Sequence, residues 1–229
     1  MLMDTAAASS PARTTRLVLV RHGLTDWNEQ RRYQGQQDPA LNAAGREQAR
    51  RLGAFLANRG LAALGLGEIR TIYSSDLRRA RETAELLAAS LGNIPLRLTA
   101  RLREMNFGRW EGLTADEIST LFPDERKAWL ESPLMARPGC GESLVEVQDR
   151  MLSVLNEIAT AHPGEAVLVV SHGGALKAAI CGILRLDLRE RFRFHLGNCS
   201  VSLLTFRPGK EPRLDLLNFA PGDQAGPAF

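Results

Sequence analysis

The stretch Leu17–Asn28, LVLVRHGLTDWN, carries the reading of the whole chain. Leu17 to Val20 is a continuous apolar run, the pattern of a strand buried on both faces. The run breaks at Arg21, His22 and Gly23. A buried strand that ends in Arg-His-Gly sets a cation and a nucleophile where open α/β sheets bind ligands. Polar residues capping a strand end against solvent would look the same. A second copy of the arrangement weighs against that bland reading: Ala166–Gly174, AVLVVSHGG, is another apolar run that ends in His-Gly.

Between and around these runs the pattern alternates. Asp26–Pro39 is polar and turn-rich and reads as an ordered loop. Asn42 is an N-cap candidate for a helix over Ala43–Asn58, which Gly60 is expected to end. Glu68–Ser74 is a second strand candidate. Asp76–Ala89 follows as a helix with Leu77, Ala80, Ala84 and Leu87 in its apolar stripe; Arg79 lies off that stripe, near the helix start and beside the sheet's C-terminal edge. From Arg97 to Gly141 the pattern loosens. Leu98–Phe107 is read as starting as a strand and becoming a loop, with short helices at Thr114–Leu121 and Asp124–Trp129. Glu142–Ala161 has the clearest helical spacing, closed by Pro163-Gly164. A helix over Ala175–Leu186 follows the second run, and Cys199–Phe206 with Arg213–Phe219 reads as a terminal hairpin. This alternation predicts a three-layer α/β/α fold with a mainly parallel central sheet. One domain is expected over 15–220, with a short cap segment around 105–141 and flexible termini at 1–14 and 221–229.

At 229 residues the chain can bury a sizeable core, and its net charge of +3 is too small to argue for a nucleic-acid partner. Arginine supplies 26 of the 29 basic residues, a bias that suits anion recognition but that a GC-rich genome also produces. Cys140, Cys181 and Cys199 have no metal-site or redox spacing, which points to a reducing, cytoplasmic setting without disulfides. No stretch approaches the roughly 18 apolar residues of a membrane helix, and the N-terminal arm lacks the apolar core of a signal peptide.

If the three principal strands are neighbours, their ends bring Arg21, His22, Arg79 and His172 to one rim. Two guanidiniums and two imidazoles make a pocket for a tetrahedral dianion, with one imidazole neutral and nucleophilic and the other protonated. Gly23 and Gly173 follow the histidines and would let backbone N–H groups approach the anion. The four rim residues offer no carboxylate to a divalent metal, and a third zinc ligand at suitable spacing is missing, so no metal and no cofactor is expected. Other residues have plainer readings. His162 sits at a helix end, and Cys199 belongs to a small-residue strand. His195 is read as a surface residue that could border the entrance. Trp110 and Trp129 either wall the pocket or pack the Met105–Gly141 segment.

The chain resembles the histidine phosphatase superfamily, the phosphoglycerate mutase-like proteins, from Leu17 to about Leu204. The resemblance is carried by RHGLTDWN at 21–28, YQGQQDPALNAAGREQA at 33–49, SSDLRRARETA at 74–84, LREMNFGRWEG at 102–112, GES at 141–143 and SHGG at 171–174. It implies that His22 attacks phosphorus and becomes a phosphohistidine, and that Arg21, Arg79 and His172 hold the phosphoryl oxygens. Asn28 and the Gly173 backbone would add hydrogen bonds, Gln34 and Gly35 would line the pocket, and Glu104 would be the proton donor.

Phosphatases and mutases of this family share that core. Mutases resembling this fold carry a long insertion after the acid Glu, with an adjacent Arg pair for the substrate carboxylate, and usually read RHGES at the nucleophile. Here Met105–Gly141 spans only 37 residues without such a pair, and the motif reads RHGLT. Both departures favour a metal-independent phosphatase acting on small-molecule phosphomonoesters, with a phosphoglycerate mutase as the alternative. A phospholigand-binding module without catalysis is a further alternative, but it would be expected to have lost His22, His172 or Glu104. A homodimer is compatible with either enzyme.

Overall fold

The computed structural model describes residues 13–221, so the expected flexibility of the termini falls mainly on residues outside the described ones. The strands are β1 (Thr15–Arg21), β2 (Ile69–Ser74), β3 (Leu96–Leu98), β4 (Ala166–Ser171), β5 (Val201–Phe206) and β6 (Arg213–Phe219). They form one sheet in the order β3-β2-β4-β1-β5-β6. β4 lies between β1 and β2 and is parallel to both, so the three strand ends that carry the expected site are neighbours. β5 runs antiparallel to β1, and β6 completes the terminal hairpin.

The apolar runs are divided by the pleat of the sheet. Leu17 and Leu19 with Val167 and Val169 face one core, and Val18 and Val20 with Leu168 and Val170 face the other. The first core is covered by α7 (Leu144–Ala161) and α8 (Gly173–Ile183), the second by α2 (Ala43–Phe55) and α4 (Arg78–Ser90). A strand sandwiched between two helical layers has no polar face to show, which is why the runs are continuous.

Several local expectations change. The loop after β1 contains a short helix, α1 (Asp26–Glu29), closed by a capping box between Thr25 and Asn28. Gly60 does not end its helix. The chain continues through a π-turn at Leu56–Gly60 into α3 (Leu61–Ala63), with Gly60 in helical conformation at φ −62°. Its missing side chain makes room for the Phe55 ring, since a Cβ would sit 2.5 Å from the ring carbons. The strand predicted to start at Leu98 instead ends there, because Thr99 opens a 3-10 turn at Ala100–Leu102.

Helices α5 (Ala115–Leu121) and α6 (Pro123–Glu131) lie within the expected cap segment. Trp110 and Trp129 meet edge to face at 6.2 Å inside the core under α7 and α8. They therefore pack the Met105–Gly141 segment onto the domain and do not wall the pocket.

Candidate active site

Three backbone carbonyls hold the two arginines. Arg21, at the end of β1, donates from Nη1 to the Leu196 carbonyl at 2.6 Å. Arg79, in the first turn of α4, donates from Nη1 to Gln37 O and from Nη2 to Gly35 O, each at 2.7 Å. Being off the apolar stripe does not expose Arg79, which is fully buried. Burial, with Glu104 as the largest opposing charge, lowers the Arg79 guanidinium to about 10, so it stays charged at neutral pH. Arg21 is lowered by the same burial.

His22 and His172 are both buried, with ring centroids 5.1 Å apart. His22 Nδ1 lies 2.7 Å from the Gly23 carbonyl. A carbonyl only accepts, so Nδ1 carries the proton and Nε2 keeps its lone pair. Burial first, then the charges of Arg79 and Arg21, push the His22 imidazole well below its usual range. Burial and Arg79 do the same to His172, to which His22 and Arg21 add. Without a bound anion both imidazoles are pushed towards the neutral form; the expected protonated partner concerns the pocket with a dianion in it.

Four buried nitrogens of this rim have no hydrogen-bond partner: Arg21 Nε, Arg79 Nε, and both ring nitrogens of His172. Gln34 Oε1 is likewise unpartnered. Orphaned buried polar groups are costly, and the guanidinium N–H donors of Arg21 and Arg79 among them are of the kind that suits an anion.

Glu104 reaches the rim from the loop after the 3-10 turn. Its carboxylate accepts Gly174 N at 2.9 Å, Ala175 N at 2.8 Å and Met105 N at 2.9 Å, which ties it to the first turn of α8. Gly173 opens the same helix, behind His172 as N-cap. Asn28 accepts the Thr25 backbone N–H at 3.1 Å and the Asn198 amide at 3.3 Å on its side-chain carbonyl.

One expected role changes. Gly23 does not offer its N–H to an anion, because it donates to Thr83 Oγ1 at 3.0 Å. Gly23 is needed for space, since a Cβ there would lie 2.5 Å from the Gly45 carbonyl. Gly35 contributes its carbonyl to hold Arg79.

Sequence reasoning missed the residues that shape the rim from behind. Glu111 accepts Gln36 N, Gln37 N and Phe107 N at 2.9, 3.1 and 3.0 Å, fixing the loop that clamps Arg79. Asn198 donates to His22 O at 2.9 Å from a turn in which Cys199 has φ +54°. The turn residues preceding β5 were the available signal. Among the described residues no group of three His, Cys, Asp or Glu is placed to hold a metal ion.

Phosphoserine phosphatase 1 of Hydrogenobacter thermophilus is 34% identical over 189 residues, 82% of this chain and 85% of its own. Phosphoglycerate mutase-like protein 4 of Arabidopsis thaliana is 39% identical over 163 residues, 71% of this chain and 68% of its own. A mycobacterial glucosyl-3-phosphoglycerate phosphatase, solved with VO3, has a TM-score of 0.75 at 34% identity and covers 91% of this chain and 100% of that one. A model of the histidine phosphatase superfamily (branch 1) matches residues 17–220. With a family model spanning residues 17–220 and relatives above 30% identity over most of both chains, the chain belongs to the histidine phosphatase superfamily.

Proposed function

We propose that this protein hydrolyses small-molecule phosphomonoesters through a phosphohistidine on His22. The observation that carries the reading is the set of unpartnered buried nitrogens on Arg21, Arg79 and His172 beside a neutral His22. Phosphoryl transfer asks chiefly for positioning and charge stabilisation, and this rim supplies both. His22 Nε2 forms a bond to phosphorus as the ester P–O bond breaks. Glu104 gives the departing alkoxide its proton and then takes one from the water that attacks the phosphohistidine, which releases phosphate and restores His22. His172 gains a proton most readily once a dianion offsets the two arginines. Relatives named as phosphatases support the reading.

No metal takes part in this scheme. The three cysteines are free, in keeping with a cytoplasmic setting, and no helix of the described residues is long and apolar enough to cross a membrane. A homodimer is compatible with the scheme, which works within one chain. The mutase-like relative keeps phosphoglycerate isomerisation as a second reading.

Acid-labile, base-stable label from a 32P phosphomonoester should appear on the peptide holding His22. Label that persists unchanged in His22→Ala would assign the nucleophile elsewhere.

A further inference from the structure

A second group of cations stands one helical turn beyond the rim. α8 begins against it: a Cβ on Gly173 would lie 3.1 Å from Arg21 Nε, and one on Gly174 would lie 2.7 Å from Glu104 Oε1. Residues three and four apart share a helix face, so Lys177 continues the face of Gly173 and Gly174, about 5 Å further along the axis. Lys177 is half-buried, and its ammonium lies 5.8 Å from the centroid of Phe192 and 6.0 Å from that of Phe194. The Arg191 guanidinium covers the same Phe192 ring at 4.1 Å and is itself buried.

The acids of the neighbouring segment are engaged elsewhere. Asp187 pairs with Arg189 at 3.0 Å and Glu190 with Arg193 at 2.7 Å. Among the described residues no carboxylate lies within ion-pair distance of Lys177 or Arg191. The cations act on one another instead. Burial, then Arg21 and Arg191, lower the Lys177 ammonium; burial, then Lys177 and Arg21, lower His195. Like charges gathered on an aromatic floor favour an anion among them.

We propose that Lys177, backed by Arg191, is a subsite for a carboxylate of the substrate, so that the preferred substrates are short phosphorylated carboxylic acids. The inference rests on the phosphatase reading, with the phosphoryl group held at Arg21 and Arg79 and the acid reaching one turn along α8.

The test uses two compounds that differ only at the far end, 3-phosphoglycerate and glycerol 3-phosphate, as competitors of p-nitrophenyl phosphate turnover. The wild-type protein should bind the acid more tightly by about tenfold, the order of one partly desolvated charge-assisted contact. In Lys177→Met that ratio should collapse to about threefold or less, and in Lys177→Arg it should persist. Equal inhibition constants in the wild-type protein would overturn the subsite while leaving the phosphatase reading intact. A ratio unchanged in Lys177→Met, with both constants shifted alike, would overturn it too. Absence of p-nitrophenyl phosphate turnover by the wild-type protein would remove the phosphatase reading and the subsite with it.

Discussion

His22 and His172 are kept neutral by burial and by the arginines beside them, and that has a consequence for stability. Unfolding returns both to water, where a histidine binds a proton below about pH 6.5. Below that pH the unfolded chain holds more protons than the folded one, so stability falls as pH falls, by at most about 1.4 kcal/mol per pH unit for each histidine. Urea unfolding at pH 7.0 and 5.5 should show the loss, and His172→Asn should make it shallower. Glu104 is tested by leaving-group chemistry. With phosphoenzyme formation limiting, Glu104→Gln should cost roughly a hundredfold or more on an alkyl phosphate, and much less on p-nitrophenyl phosphate, whose phenolate leaves without help. An equal loss on both would leave Glu104 only its three backbone contacts with Met105, Gly174 and Ala175.

At the scale of elements, the rim depends on how closely α2 approaches the chain leaving β1. A Cβ on Gly45 would lie 2.1 Å from Leu24 O and 2.6 Å from Leu24 N. Backbone cannot give way as a flexible side chain does, so Gly45→Ala should cost about 1–3 kcal/mol, the usual range for overpacking. It should also lower kcat by shifting Gly23 and, through it, His22. Gly67→Ala is the control, because nothing lies within 4 Å of its added methyl. Thermal melts and kcat of both variants would check this, and equal behaviour would mean the contact is slack. The same closeness explains why Gly23 follows the nucleophile: β1 must turn there under α2, with its N–H taken by Thr83.

Across the whole molecule, the segment between Glu104 and α7 bears on phosphatase against mutase. Trp110, Ile118 and Trp129 bury into the α7–α8 core, so this segment is part of the domain wall. A mutase must keep its phosphohistidine from water until the isomeric acceptor binds. Incubation with 3-phosphoglycerate and catalytic 2,3-bisphosphoglycerate, after exhaustive chelation, should release phosphate faster than it forms 2-phosphoglycerate. Faster isomerisation would leave the mutase reading standing, and activity lost to chelation and restored by a divalent ion would require a metal.

What the amino-acid sequence determined by itself was the layered fold and the residues brought to one rim. Continuous runs at Leu17–Val20 and Ala166–Val170 demand burial on both faces, and polar residues that end such runs have only the sheet edge to occupy. Arg21, His22 and His172 were legible for that reason, and Arg79 from its place at the start of a helix; Glu104 was legible through the family motif. Only the tertiary structure decided how those residues are held. Burial of Arg79 depends on carbonyls of Gly35 and Gln37, 42 or more positions away along the chain, and the space at Gly23 depends on Gly45. The shift of His172 towards the neutral form follows first from its burial and then from Arg79, His22 and Arg21, brought beside it by other elements. The cation face at Lys177 needs α8 and the Arg191 segment to meet. Local periodicity records which residues are buried; which charges become neighbours is set by packing between distant segments, on which short-range spacing has no hold.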